Sequence, residues 1–372
     1  MQKKSMNQIN IPIKLRIVHS NNEVINELTQ IVKDTGASKV AFISSKTPTH
    51  LITNELESAL FNLLEKVTTF QALDTSVASI NQIPLENFDL IVGVGGGKVI
   101  DVAKYASHLN KIPCISIPTS ISNDGICSPI SVLKGKNNKY QSLGATIPTA
   151  MIVPLHLIKS SDPESTLSGI GDLISNLSSV LDCRLAVQVT KEPISDYSVM
   201  IAETAALTVY IQAKNYILMN KKKEQFIADN LESIVNSLAL SGIAMEIAGS
   251  SRPASGGEHL ISHSIDELFG NLKPHGIQVA FGTYITSIIR YKLGHVSKNF
   301  VEELRAVLRY FELPFTLSGI GLTKDKLIQA IIHAPNTRPN KYTILNEIKL
   351  EKQNLEDLLD ILFGPNQVSI EK

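Results

Sequence analysis

Along the first 160 or so residues of this chain, short apolar runs alternate with longer stretches whose apolar positions recur every three or four residues. "KVAFISS" (39–45), "DLIVGVG" (89–95), "PCISIPT" (113–119) and "AMIVPL" (150–155) are short, β-branched and end in turn or small residues, as buried strands do. Between them, 51–67 and 99–109 carry apolar residues at helical spacing. Strand–helix–strand alternation predicts a parallel sheet with helices on its faces. From about residue 162 the strand pattern stops, and 173–188, 196–219, 230–248, 258–268, 279–293 and 297–311 all predict helices. The expected fold class is therefore α/β: an N-terminal parallel-sheet domain (1–161) followed by an all-helical domain (162–372). No internal repeat, low-complexity tract or long Gly/Ser linker separates the halves. A cleft between two closely joined domains is the default place for a ligand.

One junction of this pattern carries candidate chemistry. "DLIVGVGGGKVIDVAKYA" sets Gly93, Gly95, Gly96 and Gly97 between a strand and a helix. Glycines there let backbone N–H groups approach a phosphate at a helix N-terminus. The dinucleotide pattern G-x-G-x-x-G fails at Lys98, and the P-loop pattern fails at Val92 and Val99. A plain tight turn would use fewer glycines, so a pyrophosphate site of a non-standard kind is expected. The next strand ends in "SIPTSISNDGICSPISVL", where Thr119, Ser120 and Ser122 precede Asn123, Asp124 and Gly125. That is either a polar turn or a ligand edge, since ligands bind outside the carboxyl ends of strands in open α/β sheets.

In the helical half, "SRPASGGEHLISHSIDEL" (251–268) holds His259 and His263 four residues apart, on one helical face. Leu260 stands where a metalloprotease helix needs glutamate, and Glu258 is placed on a different face. His275 follows in "PHG", at the start of the next helix, and Asp172 is expected to open the helix "GDLISN". One carboxylate with two or three imidazoles is an oxygen–nitrogen set that suits zinc, or less surely iron or nickel. Each residue also has a bland reading: a satisfied helix histidine, or an aspartate capping a helix.

Composition narrows the function. The 35 Lys and Arg balance the 35 Asp and Glu, so no bulk field favours nucleic acid or a membrane surface. Tryptophan is absent and aromatics are 5%, which leaves little for base stacking. Cys114, Cys127 and Cys183 are an odd number without CxxC spacing, arguing for a reducing compartment and against a cysteine zinc site. The amino-terminal "MQKKSMNQINIPIKLRIV" lacks the apolar core of a signal peptide. No uncharged apolar run approaches the roughly 18 residues that span a bilayer. A cytoplasmic protein is expected, with no nucleic-acid partner and no membrane insertion.

"GVGGGKVIDVAK", "SIPTSISNDGICSP", "GIGDLISN", "SSRPASGGEHLISHSIDEL" and "PHGIQVAFGT", in that order, resemble the sn-glycerol-1-phosphate dehydrogenase family. That family lies in the superfamily of glycerol dehydrogenase, iron-type alcohol dehydrogenases and 3-dehydroquinate synthase. The resemblance covers about 39–290 and departs at Asp182-Cys183, where an Asp-Trp pair is expected, outside the motifs that carry the chemistry.

The resemblance implies that the first domain binds a dinucleotide and the helical one a metal. The cofactor would be NAD(H) or NADP(H), with one Zn2+ per subunit; nickel or iron are the alternatives. Dihydroxyacetone phosphate would be reduced to sn-glycerol 1-phosphate, the backbone of archaeal-type ether phospholipids. It implies Asp172, His259 and His275 as metal ligands, and Asp124, Asp172 and His263 as substrate and catalytic residues. The dinucleotide would meet Gly95, Gly96, Gly97, Lys98, Val99, Ile100, Asp101, Thr119, Ser120, Ile121, Ser122 and Ser128. The superfamily implies a homo-oligomer. Two other readings are weighed: a glycerol dehydrogenase acting on an unphosphorylated substrate, and a dehydroquinate-synthase-like lyase. The lyase fits poorly because Asp172 stands in place of glutamate and "GGEHLISHSID" has no neighbouring basic cluster.

Overall fold

A computed structural model describes residues 13–45, 50–72, 74–135 and 140–363. Most of the amino-terminal stretch read for a signal peptide lies outside the described residues. One compact unit runs to Thr166 and includes Met245–Gly249; the other comprises Leu167–Ala244 and the chain from Ser250 onward.

The first unit contains β1 (Lys14–Val18), β2 (Lys39–Ser44), β3 (Lys66–Gln71), β4 (Leu90–Gly95), β5 (Cys114–Pro118), β6 (Ile130–Lys134), β7 (Tyr140–Gly144) and β8 (Ala150–Pro154). Six of these form one parallel sheet in the order β1-β8-β5-β4-β2-β3, while β6 and β7 pair antiparallel beside it. Its helices are α1 (Asn21–Thr35), α2 (His50–Phe61), α3 (Val77–Ile80), α4 (Gly97–Asn110) and α5 (Leu155–Lys159). The central strands read as unbroken apolar runs because both faces are covered. Val40 and Phe42 of β2 pack with Leu28 of α1 and Leu56 of α2, while Ala41 and Ile43 pack with Val102 and Ala106 of α4. The chain leaves β2 toward the edge strand β3 and leaves β4 in the opposite direction, toward β5. The carboxyl end of β4 therefore lies where the winding reverses, the usual crevice for a ligand in such sheets.

The strand pattern of the sequence misses both edges. β1 (KLRIV) and β3 (KVTTFQ) are only partly buried and carry lysine, arginine and glutamine. An edge strand has one neighbour and needs no continuous apolar run. The helix expected at 51–67 ends at Phe61, and its last residues belong to β3.

The second unit is helical: α6 (Pro163–Thr190), α7 (Asp196–Leu218), α8 (Lys223–Ala248), α9 (Gly257–Phe269), α10 (His275–Lys292), α11 (Lys298–Tyr310), α12 (Leu317–Ile320), α13 (Lys324–Thr337) and α14 (Lys352–Phe363). Helix α9 packs against both α10 and α13. Helix α8 is long and apolar enough to cross a membrane by length and composition, although charged residues interrupt it, and 56% of its most apolar window is buried within the protein. That burial is what a core helix shows.

Candidate active-site residues

The glycine run divides into glycines that serve packing and glycines that leave space. A Cβ on Gly93 would stand 2.6 Å from Ala103 Cβ, so this glycine lets α4 lie against β4. Gly95 has φ +156°, and a Cβ there would meet Val99 at 2.9 Å. Around Gly96 and Gly97 the nearest obstacles are only Ser120 Oγ at 3.1 Å and Ser122 Oγ at 3.4 Å. Gly96 is also the N-cap of α4 and supplies no side-chain acceptor to its first turn. An uncapped helix start beside two hydroxyls is a ready anion site.

The hydroxyl loop is brought there by the sheet. Thr119 N–H donates to Gly95 C=O at 3.0 Å, tying the ends of β4 and β5 together. Lys98 is exposed, whereas Val99, Ile100 and Ile121 point into the core and have only backbone to offer a ligand. Asp101 uses its carboxylate inside the fold: Oδ2 accepts from Val132 N–H at 3.1 Å and Oδ1 lies 3.1 Å from Lys104 Nζ. Lys104, which the sequence reading did not single out, is wholly buried. It donates to the carbonyls of Gly125, Ser128 and Ile130, fixing the loop that carries Asp124 and Ser128. Asp124 opens a short 3₁₀ turn capped by Asn123, whose Oδ1 accepts from Gly125 N–H at 2.8 Å. The buried Ser128 hydroxyl donates to Ile130 C=O.

In the helical unit, three of the expected residues converge. Asp172, His259 and His275 offer ligand atoms that all lie within 4.8 Å of one another. Both His259 Nε2 (3.7 Å) and His275 Nε2 (3.9 Å) face Asp172 Oδ1. Asp172 does not open a helix, as the sequence suggested; it lies well inside α6. Two glycines and a serine in "SGIGD" hide that helical turn because they are poorer helix formers than alanine, and their small size has a use. A Cβ on Gly171 would stand 2.4 Å from Gly276 C=O, and one on Gly276 only 1.8 Å from Ser168 C=O. This crossing of α6 and α10 sets Asp172 beside His275, the first residue of α10.

The donor set fits a metal. Donors of a tetrahedral site with bonds near 2.0–2.1 Å are about 3.3 Å apart, and the two histidine nitrogens stand 3.7 and 3.9 Å from Asp172 Oδ1, roughly half an ångström wider. Burial and then the charge of His259 pull the His275 pKa down to about 3, so its ring is the neutral, ligating form. His263 stands one turn along α9, with its ring 6.3 Å from that of His259 and 6.1 Å from that of His275. Burial foremost, then His275, His259, Arg338 and Lys341, hold its pKa well below the usual histidine range.

Two supports of this cluster escaped the sequence reading. Glu258 is fully buried, and its Oε1 lies 2.9 Å from His259 Nδ1. That contact fixes the proton on Nδ1 and turns Nε2 toward Asp172, as carboxylate–histidine pairs do in metal sites. The available signal was a carboxylate directly before a candidate ligand on an apolar helix. Asp182, set aside with Cys183 as lying outside the chemistry, is a buried hub. It accepts from Arg290 Nη2 (2.6 Å), Gly257 N–H (2.7 Å) and Ile344 N–H (2.7 Å), and so anchors the start of α9.

Glycerol-1-phosphate dehydrogenase [NAD(P)+] of Staphylothermus marinus is 34% identical over 95% of this chain and 97% of its own. The chain belongs to the glycerol-1-phosphate dehydrogenase family. The enzyme of the same name from Methanococcus aeolicus is 39% identical over 72% of this chain and 76% of its own. A family profile described as iron-containing alcohol dehydrogenase matches residues 19–161. Among solved structures, glycerol dehydrogenase from Schizosaccharomyces pombe superposes with a TM-score of 0.73 at 21% identity, covering 94% of this chain and 88% of its own. A probable glycerol dehydrogenase from Sinorhizobium meliloti gives 0.71 at 21%, covering 94% and 96%. At that identity the likeness is one of fold, shared by this family and the glycerol dehydrogenases.

Proposed function

We propose that this chain catalyses the NAD(P)H-dependent, zinc-dependent reduction of dihydroxyacetone phosphate to sn-glycerol 1-phosphate. It would thereby supply the glycerophosphate backbone of archaeal-type ether phospholipids. The observation that carries the reading is the Asp172–His259–His275 cluster with His263 beside it, in a chain of this family.

Asp172, His259 and His275 would hold the cation, and the hydroxyl loop with Gly95–Asp101 would hold the dinucleotide. When bound, the dinucleotide supplies hydride and the cation supplies Lewis acidity at a ketone oxygen. The protein's own residues do the rest. Gly96, Gly97 and the first turn of α4 present N–H groups to the pyrophosphate, and Ser120 and Ser122 add hydroxyls. Glu258 keeps His259 in the tautomer that ligates. His263, neutral and outside the ligand set, orients the substrate hydroxyl or a water that delivers the proton to the product oxygen. Asp124 anchors a substrate hydroxyl.

Zinc is the preferred ion for a carboxylate and two imidazoles, with nickel or iron as alternatives. The three free, buried cysteines favour a reducing, cytoplasmic setting. A homo-oligomer is supported by exposed apolar residues on α7, among them Met200 and Ile211. The test of the reaction is an assay with dihydroxyacetone phosphate and each reduced nucleotide, followed by chiral analysis. sn-Glycerol 1-phosphate is expected; sn-glycerol 3-phosphate, or a preference for unphosphorylated dihydroxyacetone, rejects the reading.

A further inference from the structure

Buried cations in this fold come with partners. Lys104 has Asp101 and three carbonyls; Arg252 pairs with Glu192 and donates to Tyr342 C=O; Arg290 pairs with Asp182. Lys341, which is half-buried, differs from them. Its Nζ donates to the hydroxyls of Ser255 (2.9 Å) and Ser251 (3.1 Å), and among the described residues no carboxylate lies within 4.0 Å of it. Partial burial of an ammonium without an adjacent counter-ion is costly, and two neutral hydroxyls offset only part of that cost. Its pKa falls to about 8, through burial first and then the charges of Arg252 and Arg338, against the opposing pull of Glu258 and Cys183.

The surroundings show why such a charge would be kept. Lys341 lies just beyond the end of α13, which packs on α9, and its charge acts on His263. Arg338, one residue past the same helix, is exposed and also acts on both His263 and Lys341; it donates to the neighbouring Thr337 C=O. The Arg252–Tyr342 bond pins this segment to the "SRPAS" loop that leads into α9. An ammonium held by two serine hydroxyls and an exposed guanidinium are thus both near enough to act on His263. His263, held neutral, is a poor anchor for an anion, and Asp124 would repel one.

We propose that Lys341 and Arg338, with the Ser251 and Ser255 hydroxyls, form the subsite for the phosphate monoester of the substrate. This subsite is what would separate a glycerol-phosphate enzyme from a glycerol enzyme on the same scaffold. An ammonium and a guanidinium converging on one dianion give charge-assisted hydrogen bonds, and serine hydroxyls that accept from lysine still have a proton to donate. The inference rests on the proposed reaction and adds the residues that select its substrate.

The test uses full-length, metal-loaded enzyme and the variants Lys341→Met, Lys341→Arg and Arg338→Gln. The ratio of kcat/KM for dihydroxyacetone phosphate over dihydroxyacetone is expected to fall roughly 10- to 100-fold in Lys341→Met, the scale of a charge-assisted hydrogen bond. It should fall less in Arg338→Gln and recover in part in Lys341→Arg. Competitive inhibition by inorganic phosphate should weaken in parallel, while NADH binding and metal content stay at wild-type levels. An unchanged ratio in both charge-removing variants overturns the subsite, as does a loss of NADH affinity, which would assign the cations to a nucleotide phosphate. If Lys341→Met fails to fold, the exposed Arg338 carries the same comparison. A wild-type enzyme that ignores the phosphorylated ketone rejects the parent reading instead, so the two failures are distinct.

Discussion

The sheet unit and the helical unit build their sites by opposite means. In the sheet unit the expected ligand groups are mostly backbone, held by glycines and hydroxyls within two short segments, 95–101 and 119–128. In the helical unit they are side chains gathered from 172, 259, 263 and 275, with Glu258 and Asp182 as supports. The first kind of site tolerates changes of side-chain chemistry and fails when bulk is added. The second tolerates little change of chemistry at any of its members. Substitution experiments can break or sharpen that contrast.

The largest effect belongs to the side-chain site. Asp172→Asn, His259→Ala and His275→Ala should each lose bound metal, and activity should fall by roughly 10³-fold or more, as expected when several kcal/mol of Lewis-acid stabilisation is removed. His263→Ala should keep its metal and nucleotide yet lose about 10²–10⁴-fold in kcat, the scale of a positioned proton-transfer group. Elemental analysis beside turnover decides it. Metal lost from His263→Ala but kept in His259→Ala would exchange the two roles. Next in size, Glu258→Gln should weaken metal affinity about 10- to 100-fold, the usual cost of losing a carboxylate behind a ligating histidine. Competition with a chelator would read this directly, and equal affinity would reduce Glu258 to a packing residue.

These ranks follow the legibility of the sequence. The central strands were legible because burial on both faces demands unbroken apolar runs, and the glycine loop because glycine has few other uses at a strand end. The long helices were legible by their period. The edge strands β1 and β3 were not, since half-solvated strands carry lysine and threonine freely. Asp172 was found but misplaced: "SGIGD" looks like a helix start until Gly276 is seen to need that space. Arg338 and Lys341 were invisible, because no spacing in the chain signals that α13 packs on α9. Contacts made across many residues leave no periodic trace.

In the sheet unit, bulk is the discriminating probe. Gly96→Val and Gly97→Val should leave the unit folded, since only the tips of Ser120 and Ser122 are near, while nucleotide dissociation constants rise by about an order of magnitude or more. Gly93→Ala should do the reverse. Its Cβ would collide with Ala103, and overpacking of this kind costs about 1–3 kcal/mol. Thermal melts and nucleotide titrations on the same samples separate the two. Normal titration in a folded Gly96→Val would show that the run is only a turn.

The smallest effect is a pH dependence that links the two cations of the helical unit to substrate. Lys341 has a pKa near 8, and below it the ammonium is charged. A phosphate monoester has its second pKa near 6, so above about pH 7 the substrate is already a dianion and changes no further. As pH rises through about 8, the free enzyme loses one positive charge from the phosphate subsite, and kcat/KM for dihydroxyacetone phosphate should fall severalfold. The groups that act on Lys341 do not account for this step. Two of them are guanidinium groups, a side chain that does not titrate in this range, and burial pushes the Cys183 thiol pKa up to about 12. Burial pushes the Glu258 carboxyl up, but hydrogen bonds from His259 and from Gly256 N–H outweigh it and hold the group below the usual carboxylate range. Bound phosphate favours the ammonium, so kcat, which reports the loaded enzyme, should show the step at higher pH or not at all. Lys341→Arg should flatten the profile, because a guanidinium does not titrate in this range. A fall near pH 8 that persists in Lys341→Arg would place the titrating group elsewhere.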